Sequence, residues 1–370
     1  MKLETQKLRL VAWETTRRCN LSCLHCRAGA RDKPYEGELS TSEALTMIDQ
    51  IREVGRPTLI LTGGEPLLRE DIFDLAAYGI EKGLKVVMAP NGLLLTREVA
   101  KKLLKIGIPR ISISLDGPEA ESHDRLRGVP GAFEGVLAGI RAARSVGLPF
   151  QINTTITRRN CDQIEAIMNL AVELGAAACH AFFLVPTGRG EGLKGEELTG
   201  QEYEDILIRF YEEGKRLLIP TRAICAPHYF RIIRQRGGKI QGGHPARHKP
   251  GEGHPGGLSA GGWSTLSRGC LAATSFCFIS HRGIVSPCGY LEIEGGNIRE
   301  KTFQEIWEGS TIFNELRNPA AYKGKCGRCQ YLAVCGGCRA RAYAETGDYL
   351  EEEPNCIYQP INNYRNYSGG

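Results

Sequence analysis

No stretch of this 370-residue chain approaches the ~20 consecutive apolar residues that a helix needs to cross a bilayer. The start, Met1 to Lys7, is polar and has no apolar core of a secretion signal, so the expected location is the cytoplasm. No charge sign dominates either: 47 Lys and Arg against 42 Asp and Glu leave a net charge of +5. That balance weakly favours an anionic ligand and gives no ground for nucleic-acid binding. No internal repeat is visible, which removes solenoid and propeller architectures. An apolar content of 42% is ordinary for a globular chain, and the length suits one large domain plus a smaller one.

Cysteine is the residue present in excess. Fourteen in a chain expected in a reducing compartment point to metal ligation or redox chemistry rather than to a disulfide framework. Cys19, Cys23 and Cys26 form a CxxxCxxC triplet in the run Arg17-Arg18-Cys19-Asn20-Leu21-Ser22-Cys23-Leu24-His25-Cys26, just after the β-like segment Leu8 to Glu14. A 4Fe-4S cluster has four irons and takes cysteine thiolates as its usual ligands, so three cysteines leave one iron open to a small molecule. The alternative is a zinc or redox cysteine cluster.

Between Leu8 and about Leu217 short aliphatic runs alternate with amphipathic stretches. Strands are expected at Leu8 to Glu14, Thr58 to Thr62, Lys85 to Ala89, Arg110 to Leu115, Phe150 to Ile156 and His180 to Val185. Helices are expected at Thr41 to Val54, with Ser40 and Glu43 as a capping box, and at Asp71 to Lys82, Thr96 to Ile106, Ala132 to Val146, Asp162 to Leu174 and Gln201 to Leu217. Six βα units in succession imply parallel strands joined by right-handed crossovers, with ligands gathered at the C-terminal strand ends. The chain divides into residues 1–217, a bridging segment with a Gly/Pro/His-rich loop at 218–265, a cysteine-dense module at 266–360 whose stability depends on bound metal, and a frayed polar tail at 361–370.

The triplet, placed in an N-terminal strand-to-helix loop, resembles the signature of the radical S-adenosylmethionine (SAM) enzymes. That resemblance implies an α/β fold, a partial (β/α)6 barrel open at one side. It also implies an open iron that chelates the amino and carboxylate groups of SAM and delivers the electron that cleaves it to a 5′-deoxyadenosyl radical. Thr62-Gly63-Gly64-Glu65-Pro66, directly after the second strand, resembles the family's GGEP turn, which binds the SAM amino group. Ser112-Ile113-Ser114-Leu115-Asp116-Gly117 is similar to the segment whose serine contacts the SAM ribose, and Ser114 stands nearer the strand end. In His123-Asp124-Arg125-Leu126-Arg127-Gly128, Arg127 is the choice for the SAM carboxylate, with Arg125 as the alternative. Asn91 and Asn153 either face the pocket or serve turns and internal hydrogen bonds. His25 reads as a packing residue, and Cys161 and Cys179 as ordinary buried cysteines.

The pattern Cys270-x6-Cys277-x5-Gly283-x4-Cys288, then Cys326-x2-Cys329-x5-Cys335-x2-Cys338, then Cys356 resembles the SPASM extension. The resemblance implies two auxiliary clusters, one on Cys270, Cys277, Cys288 and Cys338 and one on Cys326, Cys329, Cys335 and Cys356. With the SAM cluster this makes three 4Fe-4S centres. Gly336-Gly337 is one residue shorter than the usual Cys335–Cys338 spacer. A zinc ribbon is the structural alternative.

Among SPASM-bearing families the chain most resembles the heme b synthases of the siroheme-dependent alternative heme pathway. The stretches that carry this are Arg9-Leu10-Val11-Ala12-Trp13-Glu14, Val87-Met88-Ala89-Pro90-Asn91-Gly92, Leu184-Val185-Pro186-Thr187-Gly188-Arg189-Gly190, Cys225-Ala226-Pro227-His228 and Phe276-Cys277-Phe278-Ile279-Ser280-His281. The resemblance implies oxidative decarboxylation of two propionates of iron-coproporphyrin III to vinyl groups. It also implies a low-potential electron donor such as a ferredoxin or flavodoxin, and an electron acceptor. An anionic iron-porphyrin calls for arginines, and Arg231, Arg234, Arg236, Lys239, Arg247 and Lys249 form a basic stretch. His228 and His281 are candidates to approach the porphyrin iron. Competing readings are a tetrapyrrole side-chain deacetylase or heme d1 maturation enzyme, a peptide-modifying SPASM maturase, a multi-cluster electron carrier and a zinc-ribbon nucleic-acid binder.

Overall fold

The computed structural model describes residues 7–238 and 268–361. Seven parallel strands follow one another across the sheet: β1 (Leu10–Glu14), β2 (Thr58–Thr62), β3 (Lys85–Met88), β4 (Ile111–Ser114), β5 (Phe150–Ile156), β6 (Cys179–Phe183) and β7 (Thr221–Ile224). On the far side of β1, β8 (Phe276–Ile279) pairs in parallel with it, followed by antiparallel β9 (Ile284–Ser286) and β10 (Gly296–Asn297). This is the expected open α/β barrel with the cysteine-rich module joined to its first edge. The helix Thr41–Val54 has the expected capping box, with Ser40 and Glu43 each accepting from the other's backbone N–H.

Alternation along each strand sorts residues between two faces. Val11, Trp13, Leu59, Leu61, Ile111, Ile113, Ile152 and Ala181 are buried in the main apolar core. The opposite face carries Glu14, Ser112, Ser114, Asn153 and His180, and it lines the barrel interior. The register puts Ser114 beside Asn153, Asn153 beside His180 and His180 beside Arg222.

Within the barrel, one strand and one helix lie outside the sequence expectation. Strand β7 is four residues long and contains a charge, Arg222, so it reads as a polar break; it nevertheless pairs with β6 over four positions. The helix Ala120–Arg127 follows β4 and ends on Gly128 in the left-handed conformation. The bridging segment holds the helix His228–Gln235 after β7. The Gly/Pro/His-rich loop, including Lys239, Arg247 and Lys249, and the tail from residue 362 lie outside the described residues.

Candidate functional site

After β1 the chain enters the cysteine loop, which backbone hydrogen bonds fasten on three sides. Gly64 N donates to Thr16 O and Glu65 N to Arg18 O, both at 2.8 Å. A Cβ on Gly63 would lie 2.3 Å from Thr16 O, and one on Gly64 2.3 Å from Arg18 O, so only glycine permits this approach. Ser22 N donates to Arg127 O at 3.2 Å and Leu24 N to Leu126 O at 2.9 Å, docking the loop on the helix Ala120–Arg127. Arg189 clamps the third side: its Nε donates to Cys23 O at 2.8 Å, its Nη1 to Ala30 O at 2.5 Å and its backbone N to Cys26 O at 3.0 Å. Arg189 and its neighbour Gly188 lie in the stretch Leu184 to Gly190, far from the cysteine loop in sequence. Their structural role was not legible there, since it requires contact with a loop some 160 residues away.

Cys19 and Cys23 are buried and Cys26 is half-buried, packed with Leu21, Ala30 and Ala132. Burial, opposed by a backbone hydrogen bond and reinforced by the charges of Glu65, Cys23 and Cys26, pushes the Cys19 thiol up to about 12. Burial also raises the Cys23 thiol, against the pull of Arg127. Protonated thiols of this kind bind metal by releasing protons. Three cysteines packed into one loop, with His25 turned away to Asp116, suit an iron-sulfur cluster with one open iron.

Asp116, fully closed to solvent, organises the cations behind this loop. Its Oδ2 lies 2.9 Å from Arg127 Nε and 3.3 Å from His25 Nε2, and its Oδ1 accepts from Thr155 N at 2.8 Å. The Arg127 Nη1 reaches the Cys23 sulfur at 3.7 Å. Burial drives the His25 pKa down to about 4, so at neutral pH it is an uncharged ring turned toward Asp116. Arg125 instead points outward and pairs with Glu121 at 2.5 Å. Of the two arginines, Arg127 is the one brought to the cysteine loop.

Glu65 is fully buried, accepting from Asn91 N at 2.6 Å and Leu67 N at 3.0 Å; burial pushes its carboxyl up to about 7. Asn91 donates to Asn20 Oδ1 at 2.7 Å and accepts from Leu93 N, which ties the turn after β3 to the cysteine loop. Ser114 and Asn153 are register partners on the interior face, and Gln151 Nε2 donates to Asn153 Oδ1 at 3.0 Å.

In the C-terminal module Cys326, Cys329, Cys335 and Cys356 form one group, the last three each sensing the charge of Cys326. Glu353 N donates to the Cys326 sulfur at 3.3 Å and Tyr331 N to the Cys329 sulfur at 3.4 Å. Cys270, Cys288 and Cys338 form a second group. Gly336 and Gly337, with φ of 83° and 59°, turn the chain so that Cys335 joins the first group and Cys338 the second. Cys277 does not join them. It sits on β8 facing the helix-side core, and the charge beside it is Arg317. Cys179 is buried in β6, and Cys161 donates to Arg158 O.

Of the three arginines of the basic helix His228–Gln235 and the residue after it, two are held in ion pairs. Arg231 is 3% exposed and bound by Glu204 at 2.5 and 2.9 Å and by Gln235, while Arg236 pairs with Glu212 at 3.1 Å. Arg234 is exposed. His228 is closed to solvent against Tyr203, with ring centroids 5.6 Å apart. His281 lies with its Nδ1 2.7 Å from Glu14 Oε2. Three other cations lie on the interior side of the sheet without a carboxylate partner among the described residues: Arg110 and Arg222 both lie near His180, and Lys85 lies near Arg110. Burial lowers the Arg222 pKa to about 10, and no carboxylate among the described residues offsets it.

The sequence matches two family models, the radical SAM superfamily over residues 13–171 and the iron-sulfur cluster-binding SPASM domain over residues 270–338. It is 52% identical to the AdoMet-dependent heme synthase of Methanosarcina barkeri, covering 96% of this chain and 98% of that one. It is 31% identical to the Fe-coproporphyrin III synthase of the same organism, over 96% of this chain and 89% of the relative. The structure superposes on SuiB of Streptococcus suis bound to S-adenosylmethionine with a TM-score of 0.72 at 15% identity, over 95% of this chain and 78% of that one. No helix among the described residues is long and apolar enough to cross a membrane. The chain belongs to the radical SAM superfamily, as a SPASM-bearing member of the AdoMet-dependent heme synthase family.

Proposed function

We propose that this enzyme makes heme b by oxidative decarboxylation of two propionates of iron-coproporphyrin III to vinyl groups. Cys19, Cys23 and Cys26 hold the SAM-binding 4Fe-4S cluster, and Gly63, Gly64, Glu65, Asn91, Ser114, Arg127 and Asn153 line the SAM pocket. When bound, cluster and SAM supply the hydrogen-abstracting radical. Loss of a hydrogen atom, carbon dioxide and one electron from a propionate leaves the vinyl group, so an electron acceptor is required. The C-terminal cysteines supply two auxiliary clusters for that electron.

The observation that carries the substrate reading is the set of interior cations without carboxylate partners among the described residues, Lys85, Arg110 and Arg222. Buried guanidinium groups are stable when paired with an anion, and a porphyrin bearing several propionates brings the anions. An apolar wall accompanies them: Arg222 lies 5.4 Å from the Phe230 ring, and Phe182 and Phe276 fall on interior strand positions. Arg231, Arg234, Arg236, His228 and His281 are engaged elsewhere or stand outside this row, so Arg222 and Arg110 replace them as the propionate contacts. The test is anaerobic incubation with SAM, a low-potential reductant and iron-coproporphyrin III, followed by mass analysis of the porphyrin. A product lacking two carboxyl groups is expected; 5′-deoxyadenosine release with an unaltered porphyrin would overturn the substrate.

A further inference from the structure

We propose that the fourth thiolate of the first auxiliary cluster is Cys225, and that Cys277 is a core residue. The inference rests on the reading that the C-terminal module holds clusters, and it changes which sulfurs do so.

Cys225 follows β7 directly and lies upstream of the glycine-rich loop, outside the Cys270 to Cys356 pattern. Its thiol shares a hydrogen bond with Cys338, and it also senses the charge of Cys288. Cys270 senses Cys338, and Cys288 senses both Cys338 and Cys270. Tyr290 lies beside both Cys225 and Cys288, and its backbone N donates to the Cys288 sulfur at 3.5 Å. The chain segments also touch: a Cβ on Gly269 would lie 2.6 Å from Pro227 Cβ and O, so the residue before Cys270 is pressed on the turn that follows Cys225.

The backbone at Cys225 is held in an unusual state. Its φ is 60°, in the left-handed region that non-glycine residues seldom adopt. Arg341, three residues beyond Cys338, fixes this turn by donating from Nη1 to Cys225 O at 2.9 Å while its Nη2 donates to Leu184 O at 3.0 Å. Strain of this kind persists where surrounding structure enforces it, and it gathers at functional sites. Here the segments that carry Cys225, Cys270, Cys288 and Cys338 meet, and four is the number of thiolates a closed cubane takes.

Cys277 has none of these relations. Its neighbours Phe276 and Phe278 face the barrel, Phe278 lying under the Arg27 guanidinium at 4.4 Å, so alternation sends Cys277 to the opposite side. There it is fully buried in the core. Bringing its sulfur to Cys338 would require reversing the face of β8.

The test uses the full chain carrying Cys19, Cys23 and Cys26 as Ala, so that only auxiliary iron remains, purified anaerobically. This parent is expected to hold about eight irons in two 4Fe-4S clusters. Adding Cys225→Ala should remove about four irons while the second cluster, in the same module, keeps its electron paramagnetic resonance signal and so reports an intact fold. Cys225→Ser should retain more iron than Cys225→Ala but shift the signal of the first cluster, as an oxygen ligand would and a packing role would not. Cys277→Ala should leave iron content and spectrum as in the parent. A parental spectrum in Cys225→Ala, or an equal loss of iron in Cys277→Ala, overturns the proposal. A parent with only about four irons overturns it together with the two-cluster reading.

Discussion

Arg127 and Asp116 form an ion pair at 2.9 Å in a site closed to water, with the other end of the guanidinium 3.7 Å from the Cys23 sulfur. One cation thus stands between a buried carboxylate and a sulfur of the SAM-cluster loop. Burial alone would raise the Asp116 carboxyl, but Arg127 first, then His25 and His123, hold it below its ordinary value. Removing one partner of such a pair strands the other and costs about 3–5 kcal/mol.

Asp116→Asn should therefore lower the urea midpoint of anaerobically purified protein clearly, while Arg125→Ala, which breaks only the exposed pair with Glu121, should change the unfolding free energy by less than ~1 kcal/mol and leave the midpoint close to the parent's. Equal midpoints for the two variants would remove the organising role given to Asp116.

Glu14 gives a pH-dependent version of the same physics. Burial pushes its carboxyl up, yet the hydrogen bond from His281 and the charges of Arg27 and Arg17 outweigh it, leaving a pKa of about 2 instead of 4.5. A depressed carboxylate stabilises the fold fully above its unfolded pKa and loses that contribution as pH falls toward the folded value. The shift corresponds to about 3 kcal/mol at neutral pH. Glu14→Gln should unfold at lower urea at pH 7, by the same margin at pH 5.5, and by a shrinking margin below pH 4.5. Tryptophan fluorescence is the readout, since Trp13 is adjacent and buried; a pH-independent difference would contradict the linkage.

Much of the barrel was legible because its signals are local. Thr58–Thr62 and Phe150–Ile156 have the expected bounds, being β-branched runs closed by turn residues, and Ser40 with Glu43 states a helix start within four residues. The three cysteines and the Gly63-Gly64 turn are contiguous motifs. What escaped depends on distant pairing: β7 is too short and too polar to read as a strand until β6 supplies its partner, and β8 acquires a role only against β1. The same holds at the sites. Arg222 looks like any surface arginine in sequence, and its meaning comes from the register that puts it beside His180. The resemblance put Cys277 among the ligands, but a cysteine pattern carries no information about which face of a strand a sulfur takes, and Cys277 lies on the core face of β8.

Gly188 tests the clamp on the cysteine loop. Its φ is 57°, and a Cβ there would lie 2.1 Å from Arg27 O, a backbone atom with nowhere to retreat. Gly188→Ala should displace Arg189 and release the loop, removing about four irons and SAM cleavage while auxiliary iron stays. Gly192→Ala, where a Cβ meets nothing within 4 Å, is the matched control and should be neutral. Full iron retention in Gly188→Ala would show that the loop holds its cluster without the clamp.

Arg222 tests substrate capture. Its guanidinium is desolvated without a carboxylate partner among the described residues, while Arg231 is already bound by Glu204. A charged hydrogen bond contributes about 1.5–3 kcal/mol, so Arg222→Ala should weaken iron-coproporphyrin binding roughly 10- to 100-fold with SAM affinity unchanged. Arg222→Lys keeps the charge but loses the planar fork that matches a carboxylate, and should fall between parent and Ala. Arg231→Lys should loosen the Glu204 pair and lower thermal stability without altering porphyrin affinity. Absorbance titration of each variant, with SAM binding as internal control, separates the two arginines. Unchanged porphyrin affinity in Arg222→Ala, together with loss in Arg231→Lys, would move the propionate site from the barrel interior back to the helix His228–Gln235.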